Sequence, residues 1–199
     1  MEILNYPLGY KKSKTWDVIV SVVLIILILF LSSLLLLRVF FKDYQVSQTS
    51  MTPTVCDGDY VLVDKKAEIK RGEVIIINRK NQDPIIKRLI AMGGDEIRIE
   101  ENGNVFVKRS GQSEFKRLDE PYVKFTKIES YLQMKIEQGK IFVLGDNRAG
   151  SYDSRAFGCL NYDDIVGVVP EWVIKNVHTK KYKLLINLYT FNFLKKIFR

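Results

Sequence analysis

The sequence predicts a mainly β protein: one N-terminal transmembrane helix, then an extramembrane domain of short antiparallel strands. Three observations carry this. Residues 18–37 form an apolar run without a charge. Short Val- and Ile-rich runs bounded by turn residues recur from residue 60 onward. After the apolar run, no long stretch keeps a helical period.

The run VIVSVVLIILILFLSSLLLL (18–37) lies between Asp17 and Arg38. It matches the roughly 20 residues a helix needs to cross the hydrocarbon core of a bilayer. Trp16 sits at one boundary and Phe40, Phe41 and Tyr44 near the other, as interfacial aromatics do. A cleavable leader would have a shorter apolar region followed by small residues. Here Arg-Val-Phe-Phe-Lys-Asp-Tyr follows, so a permanent anchor is expected. Lys11, Lys12 and Lys14 precede the span and Arg38 and Lys42 follow it, which favours a cytoplasmic N-terminus (1–17) and a domain at 38–199 outside the cytoplasm. A single-pass protein of the cell membrane is the expectation.

The strand candidates are 60–65, 73–80, 84–92, 96–100, 104–108, 140–146 and 165–175. They are rich in Val and Ile and mostly bounded by Gly, Asp, Asn or Pro. Asn-Gly at the centre of 101–104 marks a hairpin turn. The polar stretch 110–140 is expected to form a loosely defined hairpin or flap. The basic and aromatic segment 180–199 has an apolar middle too short to span a membrane. It fits a membrane-surface segment and a terminal element packed on the domain equally well.

The chain has 199 residues, of which 47% are hydrophobic and 27% charged, as in a folded domain. Its net charge is +8, but the basic residues are dispersed and no nucleic-acid-binding signature accompanies them. Beside an apolar span, attraction to a lipid bilayer is the better reading, and no nucleic-acid partner is expected. Cys56 and Cys159 have no metal-ligand spacing and read as small apolar residues. His178 is the only histidine, so a multi-histidine metal site is excluded, and a hydrolase here needs another base unless it uses that one imidazole. No metal or cofactor is expected.

Three clusters carry chemistry. Ser50 lies in a Thr- and Pro-rich turn ahead of a strand, within 48–65. Lys87 lies in an apolar run beside Ile85, Ile86, Leu89 and Ile90. Alternate side chains of a strand share a face, so either Lys87 or Arg88 should take the more buried one. A lysine there loses hydration and its pKa falls, until the neutral amine can accept a proton from a hydroxyl. The third cluster, VLGDNRAGSYDSRAFG (143–158), follows a strand and is dense enough in polar groups to need an internal hydrogen-bond network.

Ser50-Met51-x-Pro53-Thr54, then Lys87-Arg88 with Gly94-Asp95, then GDNRxxSxDSRxFG, resembles the type I signal peptidase family. The motifs stand in the family's order behind an N-terminal anchor. The resemblance implies a coiled antiparallel β-sheet catalytic domain and a serine endopeptidase acting on the signal peptides of preproteins. It implies Ser50 as nucleophile, Lys87 as general base and Ser151 as the hydroxyl that orients the lysine amine. Asp146, Arg148, Asp153 and Arg155 would support the site. Val46, Met51, Val55, Ile85 and Ile86 would line apolar substrate pockets.

The chain departs from the family pattern in three places. Gln48 stands where many members have Ser or Gly and where an oxyanion donor is supplied, so the Gln48 amide or the Ser50 N–H with another donor would serve. Gly93 replaces a usual Pro, and VVPEWVIK replaces the usual aromatic segment after the third motif. A specialised assembly factor or narrow-range processing protease for surface proteins is the alternative reading.

Overall fold

The computed structural model describes residues 14–127 and 129–190, and the chain divides after Val39 into two compact units. Lys11, Lys12 and the end of the basic C-terminal segment (191–199) lie outside the described residues.

The first unit contains α1 (Lys14–Phe40) up to Val39, and the helix has no buried residue. It is long and apolar enough to cross a membrane. The hydroxyls of Ser21, Ser32 and Ser33 donate to the carbonyls of Asp17, Leu29 and Phe30 at 2.7–2.8 Å, so no serine in the run presents an unpaired donor.

The second unit is built on β1 (Phe41–Gln45), β2 (Tyr60–Asp64), β3 (Val74–Arg79), β4 (Gln82–Met92), β5 (Glu96–Ile99), β6 (Val105–Lys108), β7 (Lys116–Arg117), β8 (Leu132–Lys135), β9 (Lys140–Leu144), β10 (Leu160–Asn161) and β11 (Ile165–Val169). A seven-stranded sheet runs β1-β2-β11-β3-β4-β9-β10, and a four-stranded sheet runs β7-β6-β5-β8. Every ladder is antiparallel. The mainly β, antiparallel fold class is therefore observed. β5 and β6 form the hairpin expected at 101–104, with Ile99 opposite Val105 and Gly103 N–H donating to Glu100 O.

Two elements differ from expectation, and a third resolves between two readings. The stretch 110–140 is not a loose flap: β7 and β8 pair with β6 and β5 and complete the smaller sheet. The run 165–175 is a strand only to Val169, because Pro170 ends it and caps α3 (Glu171–Asn176). Lys180–Thr190 forms α4, whose Tyr182, Ile186 and Tyr189 recur at helical spacing and are buried in the core. The Tyr182 hydroxyl accepts from Leu62 N–H and the Tyr189 hydroxyl donates to Phe41 O. The packed reading thus holds for this part of the terminal segment. Leu184, Leu185 and Leu188 face outward.

β4 matters most for function. It pairs with β3 on one side and β9 on the other, and is buried continuously from Ile86 to Ala91. At its end the chain turns into the second sheet through Gly93, Gly94 and Asp95. Asp95 is fully buried. It accepts from the Arg71 guanidinium twice and from Met92 and Ser110 N–H. Burial alone would raise its carboxyl, but these donors hold it below the usual carboxylate range.

Gly93 is required by close approach: a Cβ there would lie 2.9 Å from both Gln138 Cα and Glu137 O. Both are backbone atoms and cannot rotate away. Gly93→Ala should destabilise the folded unit by about 1–3 kcal/mol, read as a lower unfolding midpoint of the full chain in detergent.

Candidate active site

The Lys87 Nζ donates to Ser50 Oγ at 2.7 Å and to Ile86 O at 3.0 Å. Lys87 is 3% exposed and Ser50 6%. The cause is local. β4 is paired on both edges, and the 46–55 segment covers Lys87 with Val46, Met51 and Val55 in the core behind it. An ammonium held there has few waters. Burial is the largest influence and pushes its pKa down to about 8. Asp153 and Asp146 oppose this, and Arg79 acts with burial. The amine is therefore poised to be neutral just above neutral pH, at hydrogen-bond distance from the serine hydroxyl it would deprotonate.

The turn bearing Ser50 is pinned from the 143–158 segment. Asn147 N–H donates to Ser50 O at 3.0 Å, and Asn147 Nδ2 donates to Thr49 O at 3.2 Å. Thr54 Oγ1 donates to Asp146 Oδ2, and Arg88 holds the same carboxylate with Nε and Nη2 at 2.8 and 2.6 Å. Arg88 Nη1 also reaches Gly72 O, and its guanidinium lies 3.8 Å from the Tyr122 ring centre. Arg148 bonds Gly145 O and both oxygens of Glu120. Arg155 bonds both oxygens of Asp153, together with Glu129 and Arg148 O. Asp153 also accepts from Gly145 N–H and caps α2 (Ser154–Phe157). Its carboxyl would be raised by burial, but Arg155 holds it below the usual range.

The sequence of the chain matches the model of the family described as signal peptidase, peptidase S26, over residues 16–173. The chain belongs to that family. It is 33% identical over 172 residues to signal peptidase I U of Bacillus subtilis, covering 79% of this chain and 86% of that one. It is 31% identical over 180 residues to signal peptidase IB of Staphylococcus aureus, covering 79% and 88%. A crystal structure of a signal peptidase I from Enterococcus faecalis aligns with a TM-score of 0.44 at 23% identity, covering 52% of this chain and 98% of that one.

Ser50 and Lys87 open onto a cleft of about 390 Å³ lined by Val46, Gln48, Arg79, Ile85 and Ile86 among others. Three of the five expected pocket residues, Val46, Ile85 and Ile86, thus line it. Met51 and Val55 do not: both are 0% exposed and belong to the core beneath the Ser50 turn. Ser151 also departs from its expected role. Its hydroxyl is buried without a hydrogen-bond partner of normal geometry, and the second partner of the lysine amine is the Ile86 carbonyl. Ser151 lies near enough to Asp153 to favour that carboxylate, and packs so closely on Gly145 that a Cβ there would lie 2.2 Å from its Oγ and 2.4 Å from Ser50 O. Gln48 adopts a φ of 100°, a region that favours glycine. Its N–H is committed to Asp57 at 2.7 Å, which leaves only its side-chain amide to face the cleft.

Strand alternation alone suggests that only one of the pair Lys87/Arg88 is buried. Both are, since β4 is covered on both faces. Glu120 and Glu129 lie in the polar stretch 110–140 and carry no local signal.

Two outcomes follow from this geometry. Lys87 binds its proton less tightly folded (about 8) than unfolded (10.5), so stability is lost as pH falls from 10.5 towards 8 and the deficit is constant below that. At pH 7 the deficit is on the order of 3 kcal/mol. Lys87→Met should therefore be more stable than wild type at pH 7 by about 1–3 kcal/mol, with the gain vanishing near pH 10.5 in parallel unfolding titrations. Arg88→Ala should lose about 3–5 kcal/mol in the same assay, because it strands the buried Asp146 carboxylate.

Proposed function

We propose that this chain is a membrane-anchored serine endopeptidase that removes signal peptides from exported preproteins, with Ser50 as nucleophile and Lys87 as general base. The observation that carries the reading is the 2.7 Å contact between Ser50 Oγ and a buried amine whose pKa is pushed down to about 8. The relatives named signal peptidase I supply the substrate class.

An extended segment of the preprotein would lie along the cleft beside β4, with small side chains against Val46, Ile85 and Ile86. Neutral Lys87 takes the Ser50 hydroxyl proton as Oγ attacks the scissile carbonyl. The oxyanion is met by the Ser50 N–H and the Gln48 side-chain amide. Collapse breaks the peptide bond, and the Lys87 ammonium returns the proton to the departing amine of the mature chain. The signal peptide remains as an ester on Ser50. A water deprotonated by Lys87 then hydrolyses it and restores both groups. Asp146, Arg148, Asp153 and Arg155 keep this frame fixed without touching substrate.

In this reading α1 crosses the bilayer with its N-terminus in the cytoplasm and the second unit outside. Tethering raises the effective concentration of the enzyme beside membrane-held substrate. One observation favours a narrow client range: Gln48 occupies a glycine-like backbone position at the cleft.

Processing of a generic preprotein in detergent should occur after a small residue and be abolished by Ser50→Ala and by Lys87→Ala. The value of kcat/KM should rise with pH through about 8 on its acid limb. Folded wild type that leaves several preproteins intact would instead support the narrow-range or assembly reading.

A further inference from the structure

The turn that follows the nucleophile holds a second cluster that the reaction does not use. Cys56 Sγ, a carboxylate oxygen of Asp59 and a ring nitrogen of His178 all lie within 4.8 Å of one another. The three come from two places: the Cys56–Asp59 turn before β2, and the short connection between α3 and α4. Sequence reading passed over them because the spacing of metal ligands was sought locally, and the single histidine lies far along the chain.

The turn is closed from both ends. Cys56 N–H donates to Asp59 Oδ2 at 2.8 Å, and Asp59 N–H donates to Cys56 O at 3.1 Å. Val46 N–H donates to Asp59 O and Gly58 N–H to Val46 O, which fastens the turn beyond the end of β1. The thiol and the carboxylate are thus presented on one rigid loop. His178 approaches with defined ring geometry: Nε2 lies 3.3 Å from Pro53 O and Nδ1 lies 3.4 Å from Asp59 Oδ2. A carbonyl only accepts, so Nε2 carries a hydrogen. With Nε2–H directed at Pro53 O, Nδ1 faces a carboxylate oxygen, a contact that either a proton on Nδ1 or a cation shared by the two groups satisfies. A ligating imidazole is commonly fixed in this way, with its other N–H on a backbone carbonyl.

We propose that Cys56, Asp59 and His178 form a binding site for a borderline-soft divalent cation of the zinc type. A thiolate and a carboxylate neutralise its two charges, and a neutral imidazole completes three protein ligands. This is a donor set zinc accepts, with water in the fourth position. Tetrahedral ligand atoms around zinc stand roughly 3.3–3.8 Å apart, so closure needs the ligand atoms to draw together by up to about 1.5 Å from separations within 4.8 Å. The ion would tie the α3–α4 connection to the loop bearing Ser50, since Pro53 and Asp57 of that loop already contact His178 and Gln48. Its effect is on the stability of that loop, and the acyl-transfer chemistry does not pass through it.

The test uses the full chain in detergent, stripped of metal, and titrated with Co²⁺ and then Zn²⁺. One equivalent of Co²⁺ should produce a thiolate-to-cobalt charge-transfer absorption that Zn²⁺ abolishes, and Zn²⁺ should raise the unfolding midpoint. Cys56→Ser should remove the band. Cys56→Ser and His178→Ala should each weaken Zn²⁺ binding by at least about tenfold, while preprotein processing without added metal stays at the wild-type level. Absence of binding at micromolar Zn²⁺, a band that survives in Cys56→Ser, or unchanged affinity in both variants would overturn the proposal and leave His178 and Asp59 as an ordinary ion pair.

Discussion

A lysine amine stripped of water beside a serine hydroxyl is the constraint on which the rest of the second unit depends. Holding the amine dry at pH 7 costs on the order of 3 kcal/mol, a large share of the 5–15 kcal/mol by which a domain is typically stable. The fold absorbs this by placing Lys87 on the one strand that is long, paired on both edges and covered on both faces. An edge strand would let water reach the amine and restore its ordinary pKa, and at neutral pH almost no unprotonated amine would then remain beside Ser50.

A site this dry cannot also hold unpaired charge, and the surrounding network follows from that. Asp146 is answered by Arg88 and Thr54, Asp153 by Arg155, and Arg148 by Glu120. The pairs act at two levels. They satisfy groups that would otherwise be costly to bury. They also set the field at Lys87, where Asp153 and Asp146 pull its pKa up against burial and Arg79. The balance near 8 is a compromise between an amine too acidic to act as a base and one too basic to be neutral. The same segment fixes the Ser50 turn through Asn147 N–H on the Ser50 carbonyl, so geometry and electrostatics share one scaffold.

Much of this was legible in the chain. The apolar run, the Val/Ile runs of β2 to β6 and β9, and the Asn-Gly turn are signals of local period and turn chemistry. The dyad positions came from the resemblance, and Lys87 also from an apolar context that local reading can see. What escaped was set by tertiary pairing. β7 and β8 are short and polar, and exist because β5 and β6 offer them edges. The resemblance implies Met51 and Val55 as pocket residues, yet the turn directs them into the core. Ser151 is expected to orient the amine, but its hydroxyl lies by Asp153 and Gly145 while the Ile86 carbonyl accepts from Lys87. The Cys56–Asp59–His178 cluster shows the same limit, since ligands from distant segments have no spacing to find.

The account rests on the protonation of one amine, and the most direct measurement is an NMR titration of the lysine Nζ groups in the isotopically labelled full chain in detergent. One lysine titrating near pH 8, absent in Lys87→Met, is the result the structure predicts. If every lysine, Lys87 included, titrates above pH 10, the amine is a solvated cation at neutral pH and the proposed base does not exist.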